Sequence, residues 1–447
     1  MSYPMKRILP FILIIVSFIP FSLSLDPPEG LSFADPFFLF LEQIGMIVGG
    51  WYIINNVLRK YSIQTRTRYF NFYLMSLIIS MILLRFIWVE TIPTNMYDAA
   101  RYYRYTLDVR EYGRVTHGLN YFGVVYSYYW LMKVFGFDPL VPLYANALLT
   151  LYAGTLIARM ADSKNINKYV WVIFFPDLLQ YNMMTSREIF CMVGATVCAV
   201  KYLEIREKRT NAKIAVFIVF FLLMAFVRPP MAAMLVVAIG VHTILMSNSK
   251  HRTRNLVLIS IMGLLILLGF YFSDQLGSSF NQDFLTERVQ TTMSGDVKAR
   301  GDVREGLTKM LIPHNTFEYF AFGIIRSLAY VLPAPHMVTN FATQFDPTSL
   351  RLEGNLASLA IFFLLPFAYR GLRNYKKLPP HIQFFGITAV VFFFAIGIGL
   401  PALINLRYRT VYTQIYLAFS IYCFLHRKYL PFNPGSSRKV GTKSHMA

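Results

Sequence analysis

Four carboxylates, Glu90, Asp98, Asp108 and Glu111, stand in or beside one polar stretch, residues 91–118, together with Arg101, Arg114 and a run of tyrosines. A carboxylate held among arginines at a membrane surface can serve as a general base for a substrate that arrives from the bilayer. Between Tyr97 and Arg114 the spacing is helical: Tyr97, Arg101, Tyr105 and Asp108 fall near one stripe. Such a helix lies at an interface, with tyrosine rings at headgroup depth and arginines near lipid phosphate. A plain interfacial helix with no chemistry is the competing reading of the same stretch.

A second set of residues is basic. Arg187, with Glu188 beside it, and Arg228, Arg407 and Arg409 each stand at the end of an apolar run. One such arginine is an ordinary snorkelling side chain. Four of them suggest recognition of an anion, because guanidinium forks match phosphate oxygens in pairs. Glu42, inside another apolar run, is a functional candidate by its position. Other chemistries lack their residues. His117, His314 and His336 have no metal-ligand spacing, so no metal site is expected from the histidines. Cys191, Cys198 and Cys423 all lie in apolar runs and make neither a disulfide framework nor a thiolate metal site. There is no glycine-rich nucleotide loop and no nucleophile elbow.

The elements that must position these residues follow from composition. The chain has 447 residues, 55% hydrophobic and 15% charged, with a mean hydropathy of +0.46. Soluble domains carry about 45–50% apolar and about 25% charged residues. A soluble enzyme, a disordered chain and a disulfide scaffold are excluded, leaving an all-α polytopic membrane protein. The net charge of +20 is spread over short loops, as the positive-inside rule requires. It therefore argues against a nucleic-acid partner.

Residues 8–25 follow Lys6 and Arg7 and start inside, with a cleaved signal peptide ending near Ser22–Ser24 as the rival. Residues 36–58 return to Arg59, Lys60, Arg66 and Arg68, and 70–90 cross outward, so 91–118 is external. Basic residues between Glu204 and Lys213 mark the inside again, yet four apolar segments intervene: 119–136, 139–159, 168–182 and 187–203. Four crossings would give the wrong parity. The shortest, 168–182, carries Pro176 and Asp177 and reads as broken or re-entrant, a geometry tolerated only when buried or lining a cavity. Beyond it, 212–227 runs out to Arg228 and 231–246 returns; 256–273 leads out to an external loop, 274–354, in which Pro333–Pro335 ends an interfacial helix. Residues 355–369 re-enter, 382–404 exit to Arg407–Arg409, and 410–425 return. The expectation is about twelve spans in one domain, 1–430, with interfacial helices in the external loops. Both termini are cytoplasmic, with 431–447 a disordered tail.

The order of certain motifs is also familiar. Tyr97-Asp98-Ala99-Ala100-Arg101-Tyr102-Tyr103 is followed by Lys133-Val134-Phe135-Gly136 and by Leu143-Tyr144-Ala145-Asn146-Ala147-Leu148. Phe175-Pro176, Ser186-Arg187-Glu188 and Val227-Arg228-Pro229-Pro230 come next. Over residues 70–235 this pattern resembles the C-type superfamily of integral-membrane glycosyltransferases, which use polyprenyl-phosphate sugars. Asn405, Arg407, Tyr408 and Arg409 resemble a segment near the end of the Wzy-like and EpsG-like polysaccharide polymerases.

The resemblance implies an inverting transferase at the outer face of the bacterial inner membrane, working in cell-surface glycan or lipopolysaccharide synthesis. Asp98 would be the base, with Glu90, Arg101, Arg187, Glu188, Arg228, Arg407 and Arg409 binding substrate. The partners would be a polyprenyl-linked donor, a glycan or lipid acceptor and membrane lipids. No nucleotide is needed, because the lipid phosphate is itself a good leaving group. Asp98 has no acidic neighbour within two positions, unlike the family's paired motif, and a divalent cation stays an open alternative. A repeat-unit polymerase for O-antigen or capsule is the alternative within this chemistry, and a lipid-linked oligosaccharide transporter or flippase the alternative outside it. A transporter calls for inverted repeats and mid-span charges. Here no such repeat is visible and charges crowd at the ends of the apolar runs.

Overall fold

The computed structural model describes residues 36–91, 98–114, 122–137, 140–182, 185–246, 351–399 and 409–430, with a few positions between 318 and 327. The first apolar run, nearly all of the 274–354 loop, Arg407 and the tail lie outside the described residues, as do the side chains of Glu90 and Asp98. Among the described residues the chain is all-α, without a strand. Its helices are α1 (Pro36–Val57), α2 (Ile63–Thr91), α3 (Asp98–Tyr112), α4 (Phe122–Phe135), α5 (Leu140–Ala161) and α6 (Pro176–Asn182). After these come α7 (Arg187–Glu207), α8 (Asn211–Val227), α9 (Pro229–Leu245), α10 (Arg351–Arg373), α11 (Pro380–Gly399) and α12 (Thr410–Leu425). Two segments, Leu140–Ala161 and Leu356–Arg373, are long and apolar enough to cross a membrane, and α8, α9 and α12 are shorter apolar helices.

Local chemistry sets the boundaries. Ser186 caps α7 by accepting from the Glu188 amide, and Thr210 caps α8 by accepting from the Lys213 amide. Pro229 and Pro230 open α9, where a missing N–H costs nothing. Gly136 ends α4 with φ at +116°, a conformation that glycine alone enters freely.

The bundle has two chemically distinct ends. At one, Arg159 at the close of α5 donates to the Val57 carbonyl and pairs with Glu204 near the end of α7. Lys201 pairs with the same carboxylate at 2.8 Å. Asp162 meets His426, beyond α12, at 3.1 Å, while Arg66 of α2 donates to Asn55 of α1 at 2.7 Å. Every loop that the sequence marks as cytoplasmic, among the described residues, belongs to this basic end. At the opposite end, a Cβ added to Gly123 of α4 would strike the Phe226 and Val227 backbone, and one added to Gly136 would meet the Glu42 carboxylate.

Two expectations about the middle of the chain are thereby exchanged. Residues 168–182 are indeed broken: 3₁₀ turns at Ile166–Lys168 and Val170–Val172 precede the seven-residue α6. The segment nevertheless travels the length of the bundle. Tyr69 donates to the Ile166 carbonyl at 2.7 Å and Ser80 to the Leu179 carbonyl at 3.0 Å. Those two positions on α2 are separated by a rise of ~16 Å, and the chain emerges at Ser186 on the far side. The element that fails to traverse is α4, the expected crossing at 119–136. Both of its ends abut the end opposite the basic one. The parity is kept with a different member: α5 runs toward the basic end, the broken segment runs away from it, and α7 returns. At 14 residues α4 is ~21 Å long, shorter than a span requires. The 3₁₀ turns rise about 2 Å per residue and let a short segment reach across.

Irregular backbone inside a bundle needs partners for its polar groups. Here side chains supply them. Besides Tyr69 and Ser80, Gln414 of α12 donates to the Val172 carbonyl at 3.3 Å and Asn146 of α5 to the Tyr181 carbonyl at 3.4 Å. Tyr169, Val170, Val172 and Leu178 are fully buried while Trp171 is 51% exposed, so one face of the break is packed in protein and the other lies at the bundle surface.

On the membrane path expected from the sequence, site-directed cysteines at the exposed positions 164, 208, 376 and 428 should all react with a reagent on one side of the bilayer, and those at the exposed positions 111 and 133 on the other. Reaction of 164 and 208 on different sides would overturn this path. The loop after α5 also carries a pH signature. Burial alone would raise the Asp162 carboxyl, but hydrogen bonds from the Asn165 side chain, His426 and the Asn165 and Lys164 amides outweigh it and hold it below its ordinary value. A depressed carboxylate contributes stability above the unfolded-state pKa and loses it as pH falls through the folded one. The melting-temperature advantage of wild type over Asp162→Asn should be full near pH ~7 and shrink toward pH ~3, read by thermal unfolding in detergent.

Candidate functional site

The end opposite the basic one collects a small ionic cluster. Ser186 is extended (φ −137°, ψ 129°), which turns the chain into α7 and places Arg187 and Glu188 in its first turn. Arg228 occupies the one-residue junction between α8 and α9, held extended at φ −157° before the two prolines. The Glu188 Oε1 atom lies 3.5 Å from Arg187 Nε and 3.8 Å from Arg228 Nη1. Its other oxygen accepts from the Ser186 hydroxyl at 3.1 Å. The Glu188 side chain is 4% exposed, and those of Arg187 and Arg228 are 16% and 12% exposed. Charge-assisted hydrogen bonds run near 2.7–2.9 Å. At the longer separations seen here both guanidiniums act on Glu188 through space.

A buried tyrosine ties the cluster to the transverse helix. The Tyr128 hydroxyl accepts from the Ser186 amide at 2.8 Å and lies 3.0 Å from both the Ser186 carbonyl and Asn146 Oδ1. Its ring packs on Phe190 at 4.9 Å. Thus α4, α5 and α7 meet around one phenol, and Asn146 extends the contact to α6 by donating to the Tyr181 carbonyl. The close approach at Gly123 seats α4 against the Arg228 corner.

Three of the residues singled out in the sequence are therefore brought together: Arg187, Glu188 and Arg228. Arg409 is not among them, which corrects its expected place at an open mouth. It is fully buried, and its Nε and Nη2 donate to the two Asp177 oxygens at 2.9 and 2.8 Å while Nη1 donates to Ser358 at 2.7 Å. The fork that was to take a phosphate holds a carboxylate of the same chain. Arg101 is exposed on α3, whose buried face is Tyr102, Tyr103, Thr106 and Val109. Glu90 belongs to the last turn of α2 and Asp98 opens α3. Glu42 is placed beside the α4 terminus at Gly136.

Several polar positions escaped the sequence reading. Thr150 donates to Asn182 at 2.8 Å, and Gln414 donates to the Thr150 carbonyl at 3.1 Å. With Asn146 and Tyr128 they form a polar seam along the broken segment. The available signal was Asp177 itself, a lone acid in a short apolar run whose burial demands a cation. Among the described residues no three His, Cys, Asp or Glu side chains converge to hold a metal ion.

Asp177→Asn or Arg409→Gln alone should cost about 3–5 kcal/mol, since each strands a buried charge. The double variant should cost clearly less than the sum, measured by chemical unfolding in detergent. Additive losses would show that the pair is not coupled. Comparison of the chain with family models, with curated proteins and with solved structures finds no match.

Proposed function

We propose that this is a polytopic protein of the bacterial inner membrane, its basic end in the cytoplasm. On this reading it is an inverting glycosyltransferase that takes a sugar from a polyprenyl-(pyro)phosphate donor at the outer face. The observation that carries the reading is the convergence of Arg187 and Arg228 on Glu188 at the end remote from the basic loops. Two guanidiniums held at that end by a capped helix start and a diproline corner suit a lipid phosphate, the anion that the outer leaflet offers.

In the reaction an acceptor hydroxyl oxygen forms a bond to the anomeric carbon as the bond from that carbon to the phosphate oxygen breaks. The electron pair leaves with the phosphate, whose growing charge Arg187 and Arg228 stabilise. The hydroxyl proton passes to a carboxylate, for which Asp98 at the start of α3 is the candidate. Arg409 has no part in this step, since its fork is closed on Asp177.

Arg187→Lys or Arg228→Lys keeps the charge and removes the fork. Sugar transfer in membranes should fall about 10-fold or more, with the protein still inserted and purified at wild-type yield. Asp98→Asn should lower transfer by about 10²–10⁴-fold. The readout is mass spectrometry of lipid-linked and surface glycans in a deletion strain complemented with each variant. Wild-type products from both arginine variants would return those residues to an interfacial role. Single repeat units accumulating on the lipid in the deletion strain would mark a polymerase. Loss of glycan outside with unchanged intermediates inside would mark a transporter.

A further inference from the structure

Helix α4 presents an unusual surface for an element lying across the end of a bundle. One side is buried through Gly123, Val124, Val125, Tyr128 and Met132. The other exposes apolar side chains too, Phe122, Trp130 and Val134, the last to 72%, and Phe135 is 61% exposed where the helix ends. A helix that caps a bundle facing water carries polar residues on its outer face. Helix α4 carries no acid and one base, Lys133. The Lys133 ammonium sits 4.8 Å from the Trp130 ring centre and 5.8 Å from that of Tyr129.

This surface is continuous with another. On α8 the exposed side chains Val219, Leu222 and Phe226 form a stripe at helical spacing. Phe226, at its end, meets Phe122 of α4 edge-on at 5.6 Å. An apolar band thus climbs α8, turns through Phe122 and runs along α4. It is rimmed there by an indole and an ammonium, the pair that favours the interface between acyl chains and headgroups.

We propose that α4 is an in-plane anchor seated in the outer headgroup layer, with Phe122, Trp130, Val134 and Phe135 against the upper acyl chains and the Lys133 ammonium on lipid phosphate. This rests on the membrane placement proposed above, and not on the transfer reaction. It also gives that reading a depth. Tyr128 of the same helix holds Ser186, so the anchor sets the Arg187–Glu188–Arg228 cluster at the level of lipid phosphates.

The test uses the full chain in phospholipid vesicles. Val134→Cys and Val219→Cys are labelled separately with an environment-sensitive fluorophore, and the parent protein, whose three native cysteines are buried, gives the background. Lipids carry a quencher either at the headgroup or near the end of the acyl chain. The probe at 134 should be quenched at least about twofold more by the headgroup quencher, and the probe at 219, in mid-helix, more by the deep one. Deep quenching at 134 would mean that α4 crosses, and no quenching there with normal quenching at 219 would mean that α4 faces water or another protein. Either result overturns the anchor alone. No quenching at 219 overturns the membrane placement and the anchor with it.

Discussion

The bidentate pair between Asp177 and Arg409 is the constraint on which the rest of the interior depends. It joins the first turn of the short α6 to the residue before α12, and through Ser358 to α10. Both partners are fully buried, so neither charge can be left without the other. A buried ion pair gives little net stability over apolar packing, yet removing one member is severe. Its value is therefore positional. It fixes where a segment without continuous helix must lie among helices that could otherwise slide past one another.

Around that fixed point the polar seam assembles in steps. Asn182 accepts from Thr150, and Gln414 spans the Thr150 and Val172 carbonyls. Asn146 links the Tyr181 carbonyl to the Tyr128 hydroxyl, which in turn receives the Ser186 amide. The ionic cluster at Glu188 is thus the far end of a chain of contacts that begins at Arg409. The broken segment gives these side chains backbone carbonyls that a continuous helix would have used internally.

Much of the architecture was legible because apolar length and basic loops are strong signals. The helices over 36–57, 140–161, 211–227 and 229–245 coincide with apolar runs that carry at most one charge each, and Pro176 with Asp177 marked the break. What failed was the choice of the segment that does not traverse. Hydropathy measures how apolar 119–136 is but not which way it points, and the aromatic ring density and single lysine of α4 suit a helix lying flat as well as one standing upright. The convergence of Arg187 and Arg228 could be expected because Arg187 opens α7 and Arg228 joins α8 to α9 at the same end. The partner of Arg409 could not, because nothing local ties position 409 to position 177. Burial of both was needed to make them a pair.

The separation of those partners has a consequence for how the protein is made. Asp177 and Arg409 are 232 residues apart. At a synthesis rate of ~5–20 residues per second, Asp177 waits ~10–50 s before its guanidinium leaves the ribosome. Throughout that interval the segment between α5 and α7 holds a carboxylate whose final partner does not yet exist. The contacts of α6 with Ser80, Asn146 and Thr150 are all available early, but its ion pair can close only when the carboxyl-terminal helix arrives, so the last constraint on the middle of the chain comes from its end.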